Sequence, residues 1–187
     1  VATGMETIEK CMGSLGVVPD LICSPGYSTD PSVAAVMAIK AAGINGMFKA
    51  KALIDISTNE SGGATSYDDV LALKEANNFT DENQIVCWPK LKLGDKTFHK
   101  STQLAGLIAS IDTENEGSPY ESPSNKPFKA NAMVLDSGDE VYLSHAQANI
   151  LNAGGVLTAL NFMGGFNCWG NYTACYPTNN DVKDFMI

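Results

Sequence analysis

Apolar residues recur along this chain in two rhythms, one of three to four positions and one of two, and the two alternate. Ile8, Cys11, Met12 and Leu15 form a helical stripe, so a helix is expected over Thr3 to Leu15, opened by a capping box of Thr3 with Glu6. Leu21 to Cys23 reads as a short buried strand. Asp30 caps a second helix, with Pro31 at its first position and Val33, Val36 and Met37 on its inner face; Gly43 ends it. Phe48 to Ile56 reads as the second strand. Ser66 and Asp69 cap a third helix that turns Val70 and Leu73 inward and stops at Asn77-Asn78. Gln84 to Trp88 is the third strand, ended by Pro89. Strands alternating with helices in this way predict a parallel sheet covered by helices.

The pattern then changes. Leu91 and Leu93 alternate with lysines around Gly94-Asp95, which predicts an exposed hairpin over Lys90 to Phe98. Leu104, Leu107, Ile108 and Ile111 make the cleanest helical stripe in the chain. Asp112 to Pro127 has no period and reads as surface loop. Ala132 to Leu135 and Glu140 to Leu143 predict a second hairpin. Ser144 with Gln147 caps a helix ending at Gly154-Gly155. Val156 to Phe162 is an apolar run short enough for one buried strand, broken at Gly164-Gly165 and followed by an aromatic segment through Trp169 to Tyr176. The expected fold is α/β: a mixed, largely parallel sheet flanked by helices, with two β-hairpin excursions, residues 1–187 forming one domain.

Composition narrows the function. The chain has 187 residues, 44% hydrophobic and 18% charged, an ordinary globular balance. There is no apolar run long enough to cross a bilayer and no signal peptide, so no membrane partner is expected. It opens at Val1 without an initiator Met, which suggests a piece of a longer protein. The net charge is −9 and every basic residue is Lys. Without Arg there are no bidentate forks for phosphates or base edges, which argues against a nucleic-acid partner. Five cysteines without a C-x-x-C pair disfavour a zinc or dithiol site, and reduced thiols are expected. The sequons at Asn59, Asn78 and Asn171 carry no expectation of glycosylation.

Candidate chemistry is sparse. The turn Ser24-Pro25-Gly26-Tyr27-Ser28 follows a strand and precedes a helix, a common place for ligands and nucleophiles, but it matches no phosphate-binding or nucleophile-elbow motif. Asp55 ends the second strand, where catalytic carboxylates often sit, with His99 and His145 as its possible imidazole partners. A small hydrolase using Asp55 with Ser24 or a His is the enzymatic alternative; a carboxylate bonding a loop backbone is the simpler one. Asp112 to Gly117 resembles the start of a calcium loop but has Pro123 where the bidentate Glu belongs. The aromatics from Phe162 to Tyr176 suit core or interface, and a carbohydrate face only if Trp169 and Tyr172 or Tyr176 are exposed together. The chain's own residues thus assemble no catalytic site, cofactor site or metal site.

Several blocks, in order, resemble the contractile-tail sheath proteins of phages and prophages. Gly16-Val17-Val18-Pro19 with the Ser24 to Ser28 turn is similar to that family's G-x-x-P…P-G-x-S. Asn45-Gly46-Met47-Phe48 with Ala52-Leu53-Ile54-Asp55, Asn77 to Gly94, Ser101 to Ala105, and Ser122 to Lys126 are similar to further blocks. The most specific is Asn161 to Pro177, followed by Asp181 to Asp184. The resemblance implies a structural subunit, without cofactor or catalysis. Such subunits form a helical tube around an inner tail tube and contract to drive it through the host envelope. The implied partners are copies of itself in the full-length protein and the inner tail tube protein; the implied location is the phage tail, assembled in the host bacterial cytoplasm. Two departures stand out. The chain stops at Ile187, where the family continues into a C-terminal arm domain, so a fragment that is monomeric alone is expected. Tyr172 stands where a basic residue is more usual.

Overall fold

The computed structural model describes residues 2–187, with side chains from residue 4 onward; the capping box expected of Thr3 and Glu6 lies outside the described residues. The first expected helix is divided into α1 (Ala2–Met5), a 3-10 segment (Glu6–Lys10) and α2 (Cys11–Leu15). Side chains there bond back to the backbone, Thr7 Oγ1 to the Gly4 carbonyl at 2.7 Å and Ser14 Oγ to the Lys10 carbonyl at 2.6 Å, which competes with regular helix. Only half of the stripe packs: Ile8 rests against the core and Cys11 is half-buried, whereas Met12 and Leu15 are exposed.

The chain then runs β1 (Leu21–Cys23), α3 (Pro31–Ala42), β2 (Lys51–Asp55), α4 (Tyr67–Ala76), β3 (Gln84–Cys87), β4 (Lys90–Leu93), β5 (Lys96–Phe98), α5 (Lys100–Glu114), β6 (Ala132–Val134), α6 (His145–Ala153), β7 (Val156–Phe162), β8 (Gly165–Trp169) and α7 (Val182–Phe185). The caps at Asp30 and Ser66 form, as does the Ser144–Gln147 capping box. The second strand begins at Lys51 and not at Phe48. Ile44 and Phe48 bond across a tight turn at Asn45-Gly46, both left-handed, before the strand starts.

The main sheet has the order β1-β2-β3-β7-β8, parallel from β1 to β7, with β8 antiparallel at the edge. Alternate residues feed opposite faces. Ala52, Ile54, Val86 and Val156 pack with Val33, Met37, Val70 and Leu151 from α3, α4 and α6. Leu53, Ile85, Cys87, Leu157 and Ala159 pack on the other face with Leu104 of α5, Leu91, Met133 and Phe166. Burial on both faces explains why these strands read as continuous apolar runs.

The two excursions meet each other. β4 and β5 form the expected hairpin, and β6 pairs with β4, giving a second, antiparallel sheet of order β5-β4-β6. The return arm expected over Glu140 to Leu143 is not a strand; it touches β6 through a bridge between Val134 and Glu140. The expected loop from Asp112 is also partly ordered. Its first three residues complete α5, and Asn125 to Phe128 run along β8. There the Asn125 and Phe128 amides bond Cys168 and Phe166 carbonyls, each at 2.8 Å. That segment covers an edge that would otherwise be open to strand pairing.

Candidate functional site

Asp55 shares the parity of Leu53, so it faces α5 from the C-terminal end of β2. It is 4% exposed. Its Oδ1 accepts the Ser101 backbone N–H at 2.9 Å, and its Oδ2 accepts the Ser101 hydroxyl at 2.5 Å and the Ser28 hydroxyl at 3.2 Å. The Asp55 amide in turn donates to Ser28 Oγ at 3.1 Å. His99 occupies the N-cap position of α5 but makes no side-chain capping bond. Asp55 therefore satisfies a free N–H of the first turn of α5 from a distant strand, with its charge at the positive end of the helix.

That arrangement is structural. In a nucleophilic triad the imidazole lies between hydroxyl and carboxylate. Here both hydroxyls donate directly to the carboxylate. His99 Nδ1 lies 3.6 Å from Asp55 Oδ2, beyond a good hydrogen bond, and has no hydrogen-bond partner among the described residues. Ser24 contributes its carbonyl to the turn, accepting from Tyr27 and Ser28 amides. His145 is in another place, edge-on to Phe162 and Trp169 with ring centroids 5.2 and 5.7 Å away.

Two lysines dominate the buried polar groups, and both were legible as anomalies in the apolar stripes. Lys74 follows Val70 and Leu73 on the inner face of α4. Its Nζ donates to the carbonyls of Gly154 and Ala174, each at 2.7 Å, and of Tyr176 at 3.3 Å. Lys100 extends the stripe of Leu104 and Ile111 by one turn. It is fully buried, with Nζ donating to the Trp88 carbonyl at 2.7 Å. Burial pushes the Lys74 amine down to about 8 and the Lys100 amine to about 7.

The remaining candidates lie elsewhere in the fold. Asp112 to Glu114 are helical, and among the described residues no group of three or more His, Cys, Asp or Glu side chains is placed to hold a metal. Trp169 donates to Asn149 Oδ1 at 3.0 Å and packs against His145 and Phe162. Tyr172 and Tyr176 pack together, centroids 4.3 Å apart, against Phe185. The aromatics thus form two clusters of rings engaged with each other, not one open stacking platform. A cavity of about 540 Å³ lies at the opposite end of the strands from Asp55, lined by Lys49, Lys51, Glu82, Ile108, Lys183 and Ile187 among others. Its mixed charges converge on no reacting position.

No family model matches the chain. It is 27% identical over 182 residues to a putative prophage major tail sheath protein of Pseudomonas aeruginosa, covering 91% of this chain and 42% of that protein. It is 21% identical over 190 residues to the tail sheath protein of Burkholderia phage BcepMu, covering 98% of this chain and 39% of that one. The fold matches the contracted sheath complex of an extracellular contractile injection system with a TM-score of 0.67 at 18% identity, over 97% of this chain and 46% of the other. It matches the contracted helical sheath of the anti-feeding prophage at 0.63 and 19% identity, over 98% and 45%. The chain spans about two fifths of the length of these curated relatives. Along nearly its whole length, in sequence and in fold, the chain is similar to one part of the contractile tail sheath proteins, as its motifs imply.

Proposed function

We propose that this chain is a structural domain of a contractile tail sheath subunit. The similarity to two tail sheath proteins along nearly the whole chain carries the reading. The fold it has in common with two sheaths in the contracted state supports it. Residues 1–187 act as one α/β domain of a longer protein whose copies build a helical tube around an inner tail tube. Contraction of that tube moves the inner tube through the host envelope. The domain has no catalytic role and uses no cofactor. It works in the phage tail, is assembled in the host bacterial cytoplasm, and is a monomer when separated from the rest of its subunit.

Against the hydrolase alternative, Ser24 makes no bond to Asp55, whose carboxylate is engaged by the Ser28 and Ser101 hydroxyls, and His99 Nδ1 stands 3.6 Å from it. Electron microscopy of the longer protein, with sedimentation of this chain beside it, tests the proposal. Hollow tubes from the longer protein and a monomer from this chain are expected. A longer protein that stays a compact monomer or small closed oligomer under every salt condition would overturn it.

A further inference from the structure

Asn45-Gly46 is the one Asn-Gly pair in the sequence, and it forms the exposed turn that follows α3. An asparagine is chemically unstable where the next backbone nitrogen can reach its side-chain carbonyl carbon. Glycine obstructs that approach least, because it has no Cβ. Three asparagines here have left-handed backbones: Asn45 at φ 53, Asn78 at φ 55 and Asn125 at φ 65. At two of them the following amide is already engaged. The Phe79 N–H donates to the Lys74 carbonyl at 3.0 Å, and the Lys126 N–H to the Pro123 carbonyl at 3.1 Å. The Gly46 N–H donates to no acceptor among the described residues, whereas the Met47 and Phe48 amides after it both donate to the Ile44 carbonyl. A Cβ built on Gly46 would meet nothing within 4 Å, so that side of the turn is open.

The Asn45 side chain holds the N-terminal segment in place. Its Nδ2 donates to the Glu9 carbonyl at 2.7 Å, and the Glu9 carboxylate pairs with Lys40 of α3. Both polar ties run from Glu9. They secure a segment that packs α1 on α3 and rests Met5 and Ile8 against the core.

We propose that Asn45 is a site of spontaneous deamidation, and that its conversion unties the N-terminal helical segment from α3. The Gly46 nitrogen gives its proton to solvent base and bonds Asn45 Cγ. The Cγ–Nδ2 bond breaks, Nδ2 leaves as ammonia, and a cyclic imide remains. Water then opens either carbonyl of the imide, giving aspartate or isoaspartate; nothing is oxidised or reduced. The bond to Glu9 must open before the side chain can turn toward Gly46, so the reaction samples molecules whose tie has already opened. Either product carries a carboxylate where the Nδ2 donor stood. Acceptor then faces acceptor at the Glu9 carbonyl, and a further negative charge sits beside Glu9 in a chain already at −9. In isoaspartate the backbone runs through the side-chain carbon and is longer, which disturbs the Ile44–Phe48 pairing across the turn.

Ageing the purified chain tests this. It is incubated warm at mildly alkaline pH in heavy-oxygen water, digested, and mapped by mass spectrometry. Heavy-oxygen label is expected at position 45, as both aspartate and isoaspartate, several-fold ahead of Asn78 and Asn125. Hydrogen exchange at residues 6–15 is expected to be several-fold faster in the aged chain and in Asn45→Asp, with β2 and β3 unchanged. Gly46→Ala should slow the conversion several-fold, and the comparison with Asn78 and Asn125 in the unaltered chain stands whether or not that variant folds. Conversion at position 45 no faster than at Asn78 or Asn125 would overturn the proposal. So would aspartate without isoaspartate, which means direct hydrolysis with no part for Gly46, or conversion that leaves exchange at residues 6–15 as it was.

Discussion

Asp55 Oδ1 accepts the backbone N–H of Ser101 at 2.9 Å, so a strand residue caps a helix that begins 45 residues later, counting from Asp55 to Lys100. The bond joins the main sheet to α5 at the point where the second core begins. Asp55→Ala leaves that N–H and two buried hydroxyls without their acceptor, at a cost of about 2–4 kcal/mol. Asp55→Asn keeps part of the capping and should lose less. Urea denaturation of both variants measures this, and an Asp55→Ala chain as stable as the parent would mean the carboxylate caps nothing.

Stability should rise with pH between about 7 and 9. The Lys100 amine falls to about 7 and the Lys74 amine to about 8 in the folded chain, from an ordinary value of 10.5, so the unfolded chain holds more protons in that window. Each lysine adds at most about 1.4 kcal/mol per pH unit. Burial has the opposite effect on thiols, lifting Cys87 and pushing Cys168 up to about 12, so above about 9 their loss offsets the lysine gain. Denaturation midpoints taken at half-unit steps should climb and then level off, with a shallower climb in Lys100→Met. A flat profile from 7 to 9 would be incompatible with a buried amine at Lys100.

Gly155 has φ +68, and a Cβ there would meet the Thr173 carbonyl at 2.6 Å and the Tyr176 carbonyl at 2.7 Å. Gly155→Ala combines backbone strain with a backbone clash, and a loss of roughly 2–4 kcal/mol is expected. Gly164, also left-handed but with open space around it, supplies the control, since Gly164→Ala carries the strain alone at about 1 kcal/mol. Equal losses at the two sites would show that the 173–176 segment yields to the methyl.

Lys74→Met leaves three carbonyls without their donor, and a loss of about 2–3 kcal/mol is expected. The effect should be local as well as global. Hydrogen exchange at Ala174 to Asn179 should speed up more than exchange in β2 or β3. Uniform acceleration across the sheet would argue that the amine stabilises the fold without holding that segment in particular.

The apolar runs at Leu53, Ile85 and Leu157 revealed the parallel sheet because both of its faces are buried, so no polar alternation interrupts them. The caps at Asp30, Ser66 and Ser144 were legible for a local reason, since each bonds within three residues. What escaped the sequence was long-range pairing. Nothing near Ala132 says that its strand will lie beside Lys92, or that Asn125 will run along Cys168. Asp55 was singled out as a strand-end carboxylate, but its partners Ser28 and Ser101 come from two other segments that only the fold brings together. Lys74 and Lys100 carried a signal, a cation on an apolar stripe, that only a strict count of periodicity would have raised.

Lys74 is made 80 to 102 residues before its acceptors at 154, 174 and 176. On a ribosome it waits in water, charged, while α4 is held by the packing of Val70 and its apolar neighbours. The first half of the sheet can pair before then, because β1, β2 and β3 are already present. The helix over it gains its polar anchor only when residues 154 to 176 arrive. Synthesis order therefore makes residues 154 to 176 the latch that closes the helical face, and a nascent chain stalled before them would show an unlatched α4 to any protease in reach.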